Sequence, residues 1–274
     1  MSAATEAVRI ALAEDLGSGD ITTEACVPEA RQASGIFLAR QPLVLAGTAL
    51  LGEIYAQLGG ADRLNLLKTD GDHIAAEEVF ATVQGSARTL LSAERVALNF
   101  LQRLSGVATL ARQFTDRVAG TGCRILDTRK TTPGLRLLEK QAAAAGGVTN
   151  HRMGLWDAIL IKNNHIAAAG GVAAALQAAR QHSDLAMEIE VRTEAERDEA
   201  LLHGATSLLL DNLTPEEAAR WIAIINGRAT VELSGNITLA TVRAYAETGA
   251  QFVSSGAITH SAPAADISFR LSLQ

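Results

Sequence analysis

The sequence predicts an α/β protein in two parts: an antiparallel α+β region, then a run of parallel strands separated by helices. Two observations carry this. The first hundred residues alternate in short strand-like segments, SGIFLA, LVLAG and VFATVQG, with one helical pattern ahead of them and one between. From Ser92 the texture changes to a long helical pattern and then to a rhythm of short apolar strand, polar end and helix, repeated six times. Six such units imply parallel strands, in a barrel or in an open doubly wound sheet.

In order, Val8, Leu12 and Leu16 repeat at helical intervals, and the helix stops at the GSGD of residues 17–20. Residues 34–47 read as paired strands, 50–58 as a helix, and Asp70-Gly71 as a hairpin turn. The segment from Val79 reads as a strand and turn. The helical stretch SAERVALNFLQRLSGVATLARQFTDRVAG is expected to break near Ser105-Gly106. The later strands are RIL (124–126), AILI (158–161), MEIEV (187–191), SLLL (207–210), TVEL (230–233) and FVS (252–254). Among the intervening helices, Thr214, Pro215 and Glu217 form a capping box with proline at the first helical position.

Composition narrows the function classes. A chain of 274 residues buries about three quarters of its unfolded surface and needs no disulfide staple. Cys26 and Cys123 form no metal spacing and read as small hydrophobes in a reducing cytosol. The N-terminus lacks the pattern of a signal peptide, and no apolar run approaches the ~18 residues of a membrane span. A net charge of -6 without basic–aromatic alternation argues against nucleic acid. The expectation is a soluble cytoplasmic protein.

Against that acidic background, Asp127–Ile166 is a cationic island. Arg129, Lys130, Arg136, Lys140, Arg152 and Lys162 outnumber Asp127, Glu139 and Asp157, and His151 and His165 lie among them. Such an island is a candidate seat for an anionic small ligand. Chemistry in parallel α/β folds sits at the carboxyl ends of strands. Here those ends carry Asp127-Thr128-Arg129-Lys130, then Lys162-Asn163-Asn164-His165, Glu190 with Arg192, Asp211-Asn212, Ser234-Gly235-Asn236 and Ser255-Gly256-Ala257. Arginine and lysine suit carboxylates or phosphates. Single acids suit sugar hydroxyls or a divalent metal. Small glycine-containing turns before helices suit a phosphate.

Each residue also has a plainer reading. Glu188 and Glu190 point the same way on their strand, and either could partner a barrel lysine. Asp211 could shape the loop before the capped helix. Asn164 and His165 read as ties within their turn. Arg136, Glu139 and Lys140 read as a surface helix face, although repulsion between Arg136 and Lys140 would turn one of them toward an anion.

The motifs DTRKTTPGLRLLEK and NHRMGL-x-D-x-x-LIK-x-NHI resemble the quinolinate phosphoribosyltransferase family. The likeness extends to EDLGSGDITT, GDHI, SAERVALNFLQRLSGVAT, EIEV, LLLDN, ELSGN and GAITHSAPAADIS, covering nearly the whole chain in order. It implies an incomplete, TIM-like α/β barrel over residues 106–261. An N-terminal α+β open-faced sandwich domain would cover 1–105 and be completed by 262–274. It implies conversion of quinolinate and phosphoribosyl pyrophosphate to nicotinate mononucleotide, pyrophosphate and carbon dioxide, in NAD biosynthesis, with Mg²⁺.

By the same resemblance, Thr128, Arg129, Lys130, His151, Arg152 and Lys162 line the quinolinate pocket. Arg95 reaches in from the neighbouring subunit of a homodimer, and Lys140 is a further possible phosphate contact. Lys130, Glu190 and Asp211 form the catalytic set, the two acids near the ribose and the metal. Ser234, Gly235, Asn236, Ser255, Gly256 and Ala257, with His260 beside them, match the 5′-phosphate loops. Val148, Asn163 and Ser255 depart from the family pattern, and none removes a charge from the catalytic set. The competing readings are a paralogous phosphoribosyltransferase associated with molybdate transport, a Schiff-base aldolase using Lys162, and a non-catalytic anion-binding protein.

Overall fold

The structure is a computed structural model that describes residues 2–273. In chain order its elements are α1 (Ala3–Leu16), α2 (Ile21–Cys26), β1 (Gln32–Ala39), β2 (Leu43–Val44), α3 (Ala49–Gln57), β3 (Arg63–Leu66), β4 (His73–Ile74), β5 (Val79–Ser86) and α4 (Ala87–Arg117). Then come β6 (Arg124–Leu126), α5 (Arg136–Ala145), β7 (Ile159–Ile161), α6 (Asn163–Ala169), α7 (Val172–His182), β8 (Met187–Val191) and α8 (Glu194–Leu202). The chain closes with β9 (Ser207–Asp211), α9 (Pro215–Ile225), β10 (Thr230–Ser234), α10 (Val242–Ala246), β11 (Phe252–Ser254), α11 (Ala257–His260) and β12 (Ile267–Leu273). Among the described residues no helix is long and apolar enough to cross a membrane.

Two compact units result. The first takes the chain up to Arg112, Thr131–Gly147, and the chain from Ser261. The second takes Gln113–Lys130 and Val148–His260. Thus Thr131–Gly147, which the sequence reading assigns to the barrel, belongs by its contacts to the first unit.

The first unit is built on an antiparallel sheet of order β12-β1-β5-β3, with β2 and β4 paired separately. Phe37 is fully buried on β1, its ring 4.7 Å from that of Phe269 on β12. Gly35 is bare because a Cβ there would enter the Phe269 ring. Asp70-Gly71 does not close a hairpin, since β3 pairs with β5 and β4 with β2. The Asp70 carboxylate instead accepts the backbone N–H groups of Gly47 and Thr48, both at 2.9 Å, which ties it to the loop ahead of α3.

Two further expectations are corrected. β5 runs straight into α4, with no turn, and α4 continues unbroken through Ser105-Gly106. Gly106 is a site of close approach: a Cβ there would run into the Pro263 carbonyl. The Ser105 hydroxyl accepts the Ala46 N–H at 3.1 Å, so its hydrogen bond joins α4 to another segment. Glu139 and Lys140 on α5 are fully buried and form no surface charge face. The Glu139 carboxylate is held by Arg103 Nη2 at 2.8 Å and by the Thr132 hydroxyl at 2.6 Å, the close pairing that a buried charge requires.

The second unit is a six-stranded parallel sheet of order β6-β11-β10-β9-β8-β7. It is a barrel left open between β6 and β7. Thr149 bridges to Leu126 on the outer side of β6, so residues 148–150 occupy part of that gap. Strand alternation assigns the two faces. Ile189, Val191, Leu208, Leu210, Leu233 and Val253 are buried on one face, while Leu160, Glu190, Leu209, Asp211, Glu232, Ser234 and Ser254 line a cavity on the other. The six strands match the sequence reading, and Thr214 caps α9 with Glu217 as expected. The short helices α2, α6 and α11 were not anticipated, because segments of four to seven residues hold too few turns for periodicity to show.

Candidate active site

The cavity at the carboxyl ends of the second unit's strands encloses about 630 Å³. Thr128, Arg129, Lys130, His151, Arg152 and Lys162 line it, as do Glu190, Asp211, Ser234, Gly235 and Asn236. Its size falls within the usual range of small-molecule sites, about 300–1,000 Å³.

The cations come from the open side of the barrel. Arg129 and Lys130 follow β6, Lys162 follows β7, and His151 and Arg152 sit on the segment between them. Asp127, buried at 0% exposure, holds that segment in place. Its carboxylate accepts the His151 backbone N–H at 2.8 Å and the Asn150 side-chain amide at 2.7 Å. Arg152 Nη1 donates to the Ala158 carbonyl at 3.0 Å. Burial and the neighbouring Arg129 guanidinium both press against the Arg152 charge and lower its pKa, with Asp157 and Glu188 opposing them. Two guanidinium groups held so that they repel each other are relieved by an anion placed between them.

His151 faces two acids. Its Nε2 lies 3.4 Å from both Glu188 and Glu232. Burial lowers the imidazole pKa, but the hydrogen bonds and charges of the two carboxylates outweigh it and raise the value to about 9. The Arg152 N–H donates to Nδ1 at 2.7 Å and favours the neutral ring. Burial in turn raises the pKa of Glu232. The ligand atoms of His151, Glu188 and Glu232 lie within 4.8 Å of one another, close enough for a metal ion, yet they satisfy one another as ion pairs without one.

The acids expected near a sugar stand on β8 and β9. Glu190, 3% exposed, pairs with Lys162 Nζ at 3.1 Å and with Arg192 Nη2 at 2.8 Å. Asp211 lies 3.7 Å from the same Arg192 nitrogen. Burial and the Glu190 charge raise the Asp211 pKa, with Arg192, Lys162 and Asn212 opposing them. Asn212 and Asn236 adopt left-handed backbone, at φ 60° and 52°. Asparagine tolerates this conformation better than other non-glycine residues, and here it turns the chain just past β9 and β10. Gly235, at φ 106°, is hemmed in by Asn212 and leaves no room for a Cβ.

Other predicted residues lie outside the cavity lining. Ser255, Gly256, Ala257 and His260 follow β11 beside Lys130. The Thr259 hydroxyl donates to the Lys130 carbonyl at 2.7 Å, and a Cβ on Gly256 would be 2.7 Å from Lys130 Cδ. The Ser255 side chain is buried and donates to the Ile237 carbonyl at 2.7 Å. Lys140 is buried on α5, and Arg95 is exposed on α4, both in the first unit. His165 ties its turn as read, its Nδ1 accepting the Lys162 N–H at 2.9 Å. Asp127, Glu188 and Arg192 are named in the sequence reading without a role in binding or catalysis, and Glu232 is not named there at all. For Glu232 the signal was present: a charged residue between Val231 and Leu233 inside an apolar strand.

Fold and cavity define a parallel-stranded α/β barrel protein with a site for an anionic substrate, cations on one wall and acids on the other. Family models sharpen this: the quinolinate phosphoribosyl transferase C-terminal domain matches residues 107–270, and the N-terminal domain matches residues 20–105. The chain belongs to the quinolinate phosphoribosyltransferase family.

It is 41% identical to quinolinate phosphoribosyltransferase [decarboxylating] 1b of Nicotiana tabacum, over 96% of this chain and 81% of that protein. It is 40% identical to a probable nicotinate-nucleotide pyrophosphorylase [carboxylating] of Bacillus subtilis, over 95% of this chain and 90% of that one. The nicotinate-nucleotide pyrophosphorylase structure from Francisella tularensis superposes with a TM-score of 0.95 at 36% identity, covering 98% and 96% of the two chains.

Proposed function

We propose that this protein transfers the phosphoribosyl group of phosphoribosyl pyrophosphate to quinolinate, giving nicotinate mononucleotide, pyrophosphate and carbon dioxide. The observation that carries the reading is the division of one cavity into a wall of five cationic side chains and a facing pair of acids, Glu190 and Asp211. Quinolinate brings two carboxylates, which Arg129, Lys130, His151, Arg152 and Lys162 bind. A charge-assisted hydrogen bond contributes about 1.5–3 kcal/mol net, so the second carboxylate discriminates against a monoacid such as nicotinate.

Attack by the ring nitrogen on C1 of the ribose expels pyrophosphate through a centre with oxocarbenium character, as in other glycosyl chemistry. Glu190 and Asp211, fixed beside the sugar, stabilise that positive charge. Lys130 completes the catalytic set from the cation wall. The glycosylated nitrogen then carries a positive charge. When the 2-carboxylate leaves as carbon dioxide, its bonding electrons pass to C2, which takes up a proton. Ser234, Gly235 and Asn236, with Ser255, Gly256, Ala257 and His260, are assigned to the 5′-phosphate.

Glu190 and Asp211 are hard oxygen donors of the kind Mg²⁺ takes. Glu190 Oε1 is buried with no hydrogen bond of its own, which fits a cation-facing atom. Mg²⁺ bound there with the substrate supplies charge neutralisation to the departing pyrophosphate. We further propose a homodimer in which Arg95, exposed on α4, enters the neighbouring subunit's site. A cytoplasmic location accords with two cysteines that remain thiols.

The test is incubation with quinolinate, phosphoribosyl pyrophosphate and Mg²⁺, following nicotinate mononucleotide, with nicotinate as the control substrate. Product from quinolinate alone supports the proposal. Turnover of nicotinate but not of quinolinate overturns it.

A further inference from the structure

Arg192 follows β8 at the cavity wall, and its Nη2 sits between the two acids, 2.8 Å from Glu190 Oε1 and 3.7 Å from Asp211 Oδ2. A single positive atom bridging two carboxylates is the arrangement a divalent ion would adopt. Glu190 Oε1 is buried and has no hydrogen bond, so the contact with Arg192 is one of charge rather than of aligned donor and acceptor. Lys162 meets the other Glu190 oxygen, Oε2, at 3.1 Å, and the Asp211 oxygen nearest Arg192, Oδ2, also accepts the Asn212 amide at 2.7 Å. Two carboxylates thus face two cationic side chains, so their formal charges cancel. The Arg192 backbone is pinned, its N–H donating to Glu196 at 2.7 Å, while its side chain is 47% exposed. The guanidinium can therefore leave the acids without any backbone movement.

We propose that Arg192 is a resident counter-cation that keeps free divalent ions out of the Glu190–Asp211 pair. The ion enters with the diphosphate substrate, whose negative charge draws the guanidinium away from the carboxylates. This entry step rests on the phosphoribosyl-transfer reading; exclusion from the free protein does not.

The test is a Mn²⁺ titration of the substrate-free protein, read as loss of the free-ion electron paramagnetic resonance signal. Wild type, Arg192→Gln, Arg192→Lys and the double variant Arg192→Gln with Asp211→Asn are compared, each shown folded by its thermal transition. Arg192→Gln is expected to gain one Mn²⁺ per chain, bound at least tenfold tighter than by wild type. Arg192→Lys should stay close to wild type, and Asp211→Asn should abolish the gain. Equal affinity in wild type and Arg192→Gln overturns the proposal, as does a gained site that survives Asp211→Asn. Because no substrate is present, failure here is distinct from failure of the nicotinate mononucleotide assay.

Discussion

Replacing Asp127 by Asn tests whether one buried carboxylate presents the cationic wall. Asp127 accepts hydrogen bonds from the His151 N–H at 2.8 Å and the Asn150 amide at 2.7 Å. Each bond to a charged acceptor contributes about 1.5–3 kcal/mol net, and a neutral one about 1 kcal/mol. The Asn side chain keeps the shape and one neutral acceptor, but it sets an NH₂ group against a second donor. The expected loss is therefore about 2–5 kcal/mol, concentrated on residues 149–152. At 1.36 kcal/mol per decade, that is roughly 30- to 5,000-fold faster local opening. Amide hydrogen exchange at His151 and Arg152 should accelerate by that factor, while exchange at Leu208–Leu210 in the central strand β9 stays unchanged. Quinolinate binding, measured calorimetrically, should weaken in parallel. Unchanged exchange at His151, within threefold, would refute the assignment of Asp127 as the anchor of this segment.

Four further outcomes are expected. Arg152→Ala should cost about 2–5 kcal/mol of transition-state stabilisation in kcat/KM, as orphaned charge partners do; a loss below twofold removes Arg152 from the site. Gly106→Ala should lower the thermal midpoint, because contact with Pro263 at an overpacking cost of about 1–3 kcal/mol outweighs a helix-propensity gain of about 1 kcal/mol. A midpoint at or above that of wild type counts against the close contact. Burial pushes the Cys123 thiol up to about 11, so at pH 8 a thiol reagent should label only the exposed Cys26 in the native protein and both cysteines in denaturant.

The fourth concerns Asp211, whose pKa burial and Glu190 raise above its ordinary 3.8. The native state then binds the proton more tightly than the unfolded chain does, so this group's contribution falls as pH rises from the ordinary value through the raised one. Asp211→Asn should accordingly stabilise the metal-free protein against heat at pH 7 more than at pH 4, while reducing activity. A larger gain at pH 4 contradicts the direction of the shift.

Local patterning was legible wherever one face of an element is buried along its length. In MEIEV and TVEL the residues alternate between core and cavity, so strand, orientation and the candidacy of Glu190 could all be read from a period of two. The Thr214–Glu217 capping box was legible because its donors and acceptors lie within four residues. The wall of Arg129, Lys130, His151, Arg152 and Lys162 was visible as charge density and strand-end position.

Tertiary structure decided what depends on partners distant in sequence. A glycine in a helix reads as a break until Pro263 is found against it. Glu139 reads as a surface acid until Arg103 and Thr132 enclose it. β12 pairs with β1 across more than two hundred residues, and His151 meets Glu188 and Glu232 from two other strands. By itself the sequence determined which residues face inward and which charges stand at the strand ends, since side-chain periodicity is a local property. Only the tertiary structure decided which charges neutralise one another, because ion pairing falls off over a few ångströms and those distances are set by how the chain closes on itself.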